Sequence, residues 1–217
     1  EYGGAGFGYR GLGLVLEEAG RTLAASPLVS TSLLCASALL IGGSEDQKKA
    51  LLPEIASGNL VMALAMDEGA HHNPANIEAS AAKDGDGYVV NGTKSFVLDG
   101  HVAGKLIVAA RTSGARGNTS GLTLFIVDGD AAGVTRKRQI MVDSRNAAEI
   151  TLKDVKVAAG DVLGRADNGF EILSETLDRA RIGLAAEMLG SLQEAYERTI
   201  EYLKERKQFG VVIGSFQ

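Results

Sequence analysis

Asp84-Gly85-Asp86-Gly87-Tyr88-Val89-Val90-Asn91-Gly92-Thr93-Lys94-Ser95-Phe96 is the stretch on which the fold reading turns. Two turn signals bracket one short apolar run, which leaves room for a strand and none for a helix. The same grammar continues downstream. Leu106-Ile107-Val108, Leu122 to Val127 and Ile150-Thr151-Leu152 are short apolar runs, and Asp128-Gly129-Asp130 is another turn cluster. Short strands with hairpin-type turns and no intervening helices predict an antiparallel sheet or barrel, not a doubly wound parallel sheet.

Outside this region the hydrophobic period is helical. Residues 11–60 place Leu, Val and Ala at three- and four-residue spacing, with a break near Ser26-Pro27. Ser44-Glu45-Asp46-Gln47 has the form of a capping box, and the helix it opens should end near Ser57-Gly58. From Asp167 to Lys207 one stripe carries Leu173, Leu177, Ala180, Leu184, Met188, Leu192, Ala195 and Leu203. A helix of that length needs other long helices over its apolar face, so it reads as the opening of a bundle left incomplete by Gln217. The expected class is α+β: a helical N-terminal part over 1–60, an antiparallel β middle domain over 61–165, and the start of a C-terminal helical bundle over 166–217.

Composition narrows the function. The 217 residues are 45% hydrophobic and 23% charged, with a net charge of −5. No basic field exists to draw nucleic acid or an anionic membrane. No apolar run is long enough for a bilayer span. The single cysteine, Cys35, lies in the apolar run SLLCASALLIGG and reads as a buried, inert thiol. It cannot form an internal disulfide, which fits a cytoplasmic setting.

Several local signals have plain readings. Gly6-Phe7-Gly8-Tyr9-Arg10-Gly11 matches G-x-G-x-x-G by letter, but a dinucleotide site needs a strand before it and a βαβ unit around it. A loop leading into a helix accounts for it better. His71-His72 lacks a third metal ligand at useful spacing and reads as a loop pair beside a binding site or in solvent. Arg136-Lys137-Arg138 reads as a charged sheet edge. Phe96 alone would be a core residue on a strand. Glu205 to Gly210 alone would be a charged helix end stopped by glycine, although its arginine suits a phosphate and its aromatic a purine ring.

Taken together, in order and spacing, these segments resemble the acyl-CoA dehydrogenase family. Glu1-Tyr2-Gly3-Gly4 with Glu17-Glu18-Ala19-Gly20 is similar to the family's EYGG loop and EE-x-G helix. Leu52 to Gly58 resembles LPxIASG, and Lys153-Asp154-Val155-Lys156-Val157 resembles EDVRVP. Arg206-Lys207-Gln208-Phe209-Gly210 with Ile213 to Gln217 is the most specific match. The resemblance covers the whole chain and leans toward heteromeric members.

It implies an FAD enzyme that oxidises an acyl-CoA thioester to the trans-2-enoyl-CoA. A glutamate takes the α-proton and the β-hydrogen leaves as hydride. Such chemistry needs a desolvated carboxylate and a polarised thioester carbonyl. Electron-transfer flavoprotein is the implied acceptor, and a homo- or hetero-oligomer, a dimer of dimers, is the implied assembly. Phe96-Val97-Leu98 stands at the family's flavin-covering W-[IV]-[TS]; the ring surface is kept, and Leu98 lacks the hydroxyl. Met66-Asp67-Glu68-Gly69-Ala70-His71-His72 stands at L-[TS]-E-P-G-A-G-S, with Asp67 in place of the flavin-side hydroxyl and His72 in place of a CoA-contacting serine. An aspartate there is electrostatically awkward unless it points away. Arg206, Gln208, Phe209 and Gln217 match the segment that holds the FAD pyrophosphate and adenine of a neighbouring subunit. Asp178 and Arg181 match a helix that meets the acyl-CoA.

No catalytic base is evident. One family base position holds Ala180, the other lies beyond Gln217, and Glu187 is a weak candidate. Residues 1–217 alone are therefore expected to be inactive. Two other readings remain: a flavin-poor partner subunit, raised by Asp67 and Leu98, and a DNA-binding protein on the same scaffold, which the charge of −5 opposes.

Overall fold

The computed structural model describes residues 2–216, which fall into two compact units. Of the described residues, the first comprises 2–6 and 26–180, and the second 7–25 and 181–216.

In the first unit a π-helical turn, Leu28–Cys35, runs into α2 (Ala36–Gly42) and then α3 (Glu45–Ala56). The capping box forms as expected: Ser44 Oγ accepts from the Gln47 amide and Gln47 Oε1 accepts from the Ser44 amide. Gly58, at a φ of 78°, follows the last turn, where only glycine adopts that backbone freely. Thr31 Oγ1 both donates to the Met62 carbonyl and accepts from the Met62 amide, tying the helical layer to the first strand.

The β region is an eight-stranded sheet with the order β6-β7-β3-β2-β4-β5-β8. Its strands are β1 (Met62–Ala65), β2 (Ser80–Asp84), β3 (Gly87–Leu98), β4 (Lys105–Arg111), β5 (Leu122–Asp128), β6 (Val134–Ile140), β7 (Asn146–Val157) and β8 (Val162–Leu163). Pairing is antiparallel except that β1 runs parallel beside β4 and β2 meets β4 in parallel at Ser80 and Arg111. β4 and β5 are apolar at nearly every position because both faces are buried, so they show a continuous run rather than alternation. Tyr88 meets Phe125 edge-on at 5.1 Å inside this core. Cys35 is buried there, and burial pushes its thiol well above the usual range.

Two turn readings need correction. Asp84 to Gly87 does close the β2–β3 hairpin, but Asn91-Gly92 lies inside β3. The pairing with β7 overrides the dipeptide's local preference for a turn. Between Val90 and Gly92 the register shifts, with two β7 residues opposite one, and Asn91 exchanges hydrogen bonds with Asp154 across that bulge. Gly92 is needed because a Cβ there would press on the Ala79 backbone. Asp128-Gly129-Asp130 turns the chain, but it leads to β6, which pairs with β7 and not with β5. β6 is the outer strand, so Arg136-Lys137-Arg138 does lie on a sheet edge.

α1 (Gly8–Thr22) belongs to the second unit and opens within the G-x-G-x-x-G letters, with no strand before it among the described residues. α4 (Gly169–Glu205) begins in the first unit, where Leu173 and Leu177 join the core. Its later residues belong to the second unit, where Leu184, Met188 and Leu192 are exposed. Within that unit α1 and α4 cross at glycines. A Cβ on Gly20 would overlap the Glu187 carbonyl, and one on Gly190 would overlap that of Glu17. Ser191 Oγ donates to the Gly20 carbonyl, and Arg21 pairs with Glu194 and Glu197.

Candidate functional site

In the first unit the segments 66–68 and 94–96 are stitched together residue by residue. The Lys94 ammonium donates to the Met66 carbonyl at 3.2 Å and to Glu68 Oε1 at 2.6 Å. The Ser95 amide donates to the Asp67 carbonyl at 2.7 Å. Glu68 also accepts from the amides of Glu78 and Ala79 at 2.6 and 2.9 Å, which fixes the far end of the 67–79 loop. Lys94 is 0% exposed, and burial lowers its pKa to about 8 against the opposing pull of Glu68. Sequence reasoning assigned no role to either residue. The signal was present in the alternation of β3, where Tyr88, Val90 and Lys94 share the buried parity.

Asp67 turns its carboxylate into its own loop. Oδ2 lies 3.1 Å from His72 Nδ1, and Oδ1 accepts from the Asn73 amide at 3.3 Å. The awkward negative charge therefore already has two local partners. His72 is exposed and Met66 is half-buried. Among the described residues there is no group of three or more His, Cys, Asp and Glu that could hold a metal ion.

Phe96 departs from the core-residue expectation. The register of β3 shifts again between Lys94 and Val97, leaving Ser95 and Phe96 opposite one β7 residue. Phe96 sits at a φ of 54°, rare for a bulky side chain, and the residue is 44% exposed. Its amide donates to Gln139 Oε1 at 3.0 Å. A strained bulge that displays an aromatic is a feature a functional surface would select and a folding core would not. Val97, the next residue, is buried, and Leu98 pairs with Ala147.

Asp178 lies on the exposed side of α4 beside the buried Ala180. Arg111 is a buried cation that sequence reasoning missed; its guanidinium donates to the carbonyls of Ala75, Ile77, Asn118 and Ser120, a role in loop anchoring. Asp167 accepts from the hydroxyls of Ser113 and Thr112, which hold its carboxyl below the usual range.

The remaining candidates belong to the second unit. Arg181 is exposed on α4. Glu187 is only 4% exposed, with its backbone against Gly20. After α4 the chain does not simply stop at a glycine. β9 (Lys207–Gln208) and β10 (Val211–Val212) form a tight hairpin whose corner, Phe209 and Gly210, has positive φ at both residues. Phe209 is 95% exposed, and its ring meets that of Phe216 edge-on at 6.5 Å. Arg206 and Gln208 are exposed beside it, and Gln217 lies outside the described residues.

Comparison with known proteins gives the class to which this helical segment, mixed sheet and long helix leading into a hairpin belong. The sequence matches the N-terminal domain of acyl-CoA dehydrogenases over residues 1–59, the middle domain over 63–155 and the C-terminal domain over 167–217. It is 37% identical to mitochondrial isovaleryl-CoA dehydrogenase of Pongo abelii, over all of this chain and 53% of that protein. It is 33% identical to a subunit of the caffeyl-CoA reductase–Etf complex of Acetobacterium woodii, over 99% of this chain and 58% of that one. A glutaryl-CoA dehydrogenase from Mycobacterium smegmatis, solved in complex with FADH2, superposes with a TM-score of 0.89 at 27% identity, over all of this chain and 56% of its own. The chain belongs to the acyl-CoA dehydrogenase family. It spans just over half the length of these relatives.

Proposed function

We propose that the full-length protein is an FAD-dependent acyl-CoA dehydrogenase that converts an acyl-CoA thioester to the trans-2-enoyl-CoA. Within it, residues 1–60 would close the N-terminal domain, 61–165 form the β domain and 166–217 open the bundle. The observation that carries this reading is Phe96, an aromatic ring displayed by a positive-φ bulge instead of buried.

The residues present fit FAD. The 66–68 segment, clamped to Phe96 by Lys94 and Ser95, supplies a firm polar rim beside an exposed ring face. Arg206, Gln208 and Phe209 would take a pyrophosphate and a purine through a guanidinium fork, an amide and an aromatic face. When bound, FAD supplies the hydride acceptor. This chain's part is binding and orientation: Phe96, Val97 and Leu98 with Met66 and Asp67 at the ring system, and His72, Asp178 and Arg181 toward the CoA thioester. On this reading the proton acceptor lies outside residues 1–217, because Ala180 at one family base position has no basic group and Glu187 is only a weak candidate. Because the family match for Arg206, Gln208 and Gln217 is to a neighbouring subunit's cofactor, the working unit would be an oligomer. An electron-transfer flavoprotein would take the electrons, as the Etf complex of the Acetobacterium relative supports.

Leu98 and Asp67 favour one second reading, a flavin-poor partner in a heteromeric enzyme. Visible flavin absorbance of the purified full-length protein separates the two. A flavin-replete protein whose Phe96→Ala variant binds FAD more weakly by roughly 1–3 kcal/mol supports the first. A protein that takes up flavin only with a partner subunit supports the second.

A further inference from the structure

We infer that Gln139 is a positioning residue for the Phe96 ring; the inference rests on the flavin-binding reading above. A bulge removes two amides from the sheet ladder and leaves them to find other acceptors. The Ser95 amide finds the Asp67 carbonyl at 2.7 Å. The Phe96 amide finds Gln139 Oε1 at 3.0 Å.

Gln139 is well placed for this task. It lies on edge strand β6 opposite Ala147 of β7, and Ala147 lies opposite Leu98 of β3. Its side chain thus reaches across the intervening strand to the bulge, past the small pair Ala147-Ala148. A residue at a φ of 54° persists only where its surroundings over-determine it. The hydrogen bond to Gln139 restrains the Phe96 backbone from the β6 side, and the Asp67 carbonyl acts on the neighbouring residue. Together they set the angle at which the ring is displayed. Gln139 itself would touch neither cofactor nor substrate.

The test uses full-length holoprotein and compares wild type, Gln139→Leu, Phe96→Ala and the double variant. FAD dissociation constants are read from flavin fluorescence at matched folded fraction, and visible circular dichroism of the bound flavin reports its ring environment. Losing one such hydrogen bond is expected to weaken FAD binding roughly 3- to 10-fold and to change the visible dichroism, with the thermal midpoint little altered. Because Gln139 acts through Phe96, the expected effect of Gln139→Leu vanishes when Phe96 is already alanine. An equal loss in the Phe96→Ala background overturns the inference. So does unchanged affinity and dichroism in Gln139→Leu while Phe96→Ala still weakens binding. A wild type that binds no FAD, or a Phe96→Ala variant that binds it fully, sinks the flavin reading itself, a pattern distinct from either of these.

Discussion

Lys94→Met removes the ammonium and keeps most of the side-chain volume, so it isolates the charge at the clamp between segments 66–68 and 94–96. Glu68, with a side chain 11% exposed, would lose its only ion-pair partner among the described residues. Removing one member of a buried pair costs about 3–5 kcal/mol. The low end applies here, about 3 kcal/mol, because Glu68 keeps the amides of Glu78 and Ala79 as donors. Against a typical total of about 5–15 kcal/mol, that is a large fraction. Urea unfolding followed by far-ultraviolet dichroism measures it. Adding Glu68→Gln should recover at least half the loss, since the amide oxygen still serves both backbone donors and no buried charge is left alone. A Lys94→Met variant within about 1 kcal/mol of wild type, or a double variant no better than the single, would refute the reasoning.

Two further outcomes are expected. Gly190→Ala places a methyl against the Glu17 carbonyl, forcing α1 from α4 at a cost of about 1–3 kcal/mol; a calorimetric midpoint equal to wild type would refute the close crossing. Arg206→Ala should leave sedimentation of the intact protein oligomeric while lowering its flavin content, and an oligomer that keeps full flavin would remove Arg206 from the site.

Elements governed by local chemistry were legible in the sequence: the Ser44–Gln47 cap, the alternation of helical and strand regions, the long helix and the charged edge strand. The misreadings came where a distant partner overrides a local signal. Asn91-Gly92 has the letters of a hairpin turn, yet β7 holds it in a strand, and the glycine answers to Ala79 instead. The 207–212 hairpin turns on Phe209 at a φ of 53°, a conformation that sequence rules reserve for glycine or asparagine. The candidate site was read from Phe96 and the 66–72 loop as matched motifs. The residues that hydrogen-bond to these segments, Lys94, Glu68 and Gln139, were not foreseen, because their partners are set by sheet register and not by neighbours in sequence. Lys94 and Arg111 drew no sequence reading, because only their burial shows their carbonyl and carboxylate partners.

The central claim is that the full-length protein binds FAD and directs a hydride to it from an acyl-CoA. Anaerobic titration of the flavin-replete protein with a series of saturated acyl-CoA thioesters tests it most directly. The account predicts that at least one thioester bleaches the visible flavin absorbance faster than it bleaches free FAD, with the matching enoyl-CoA as product. A flavin-replete protein whose absorbance survives the whole series at the free-flavin rate would contradict it.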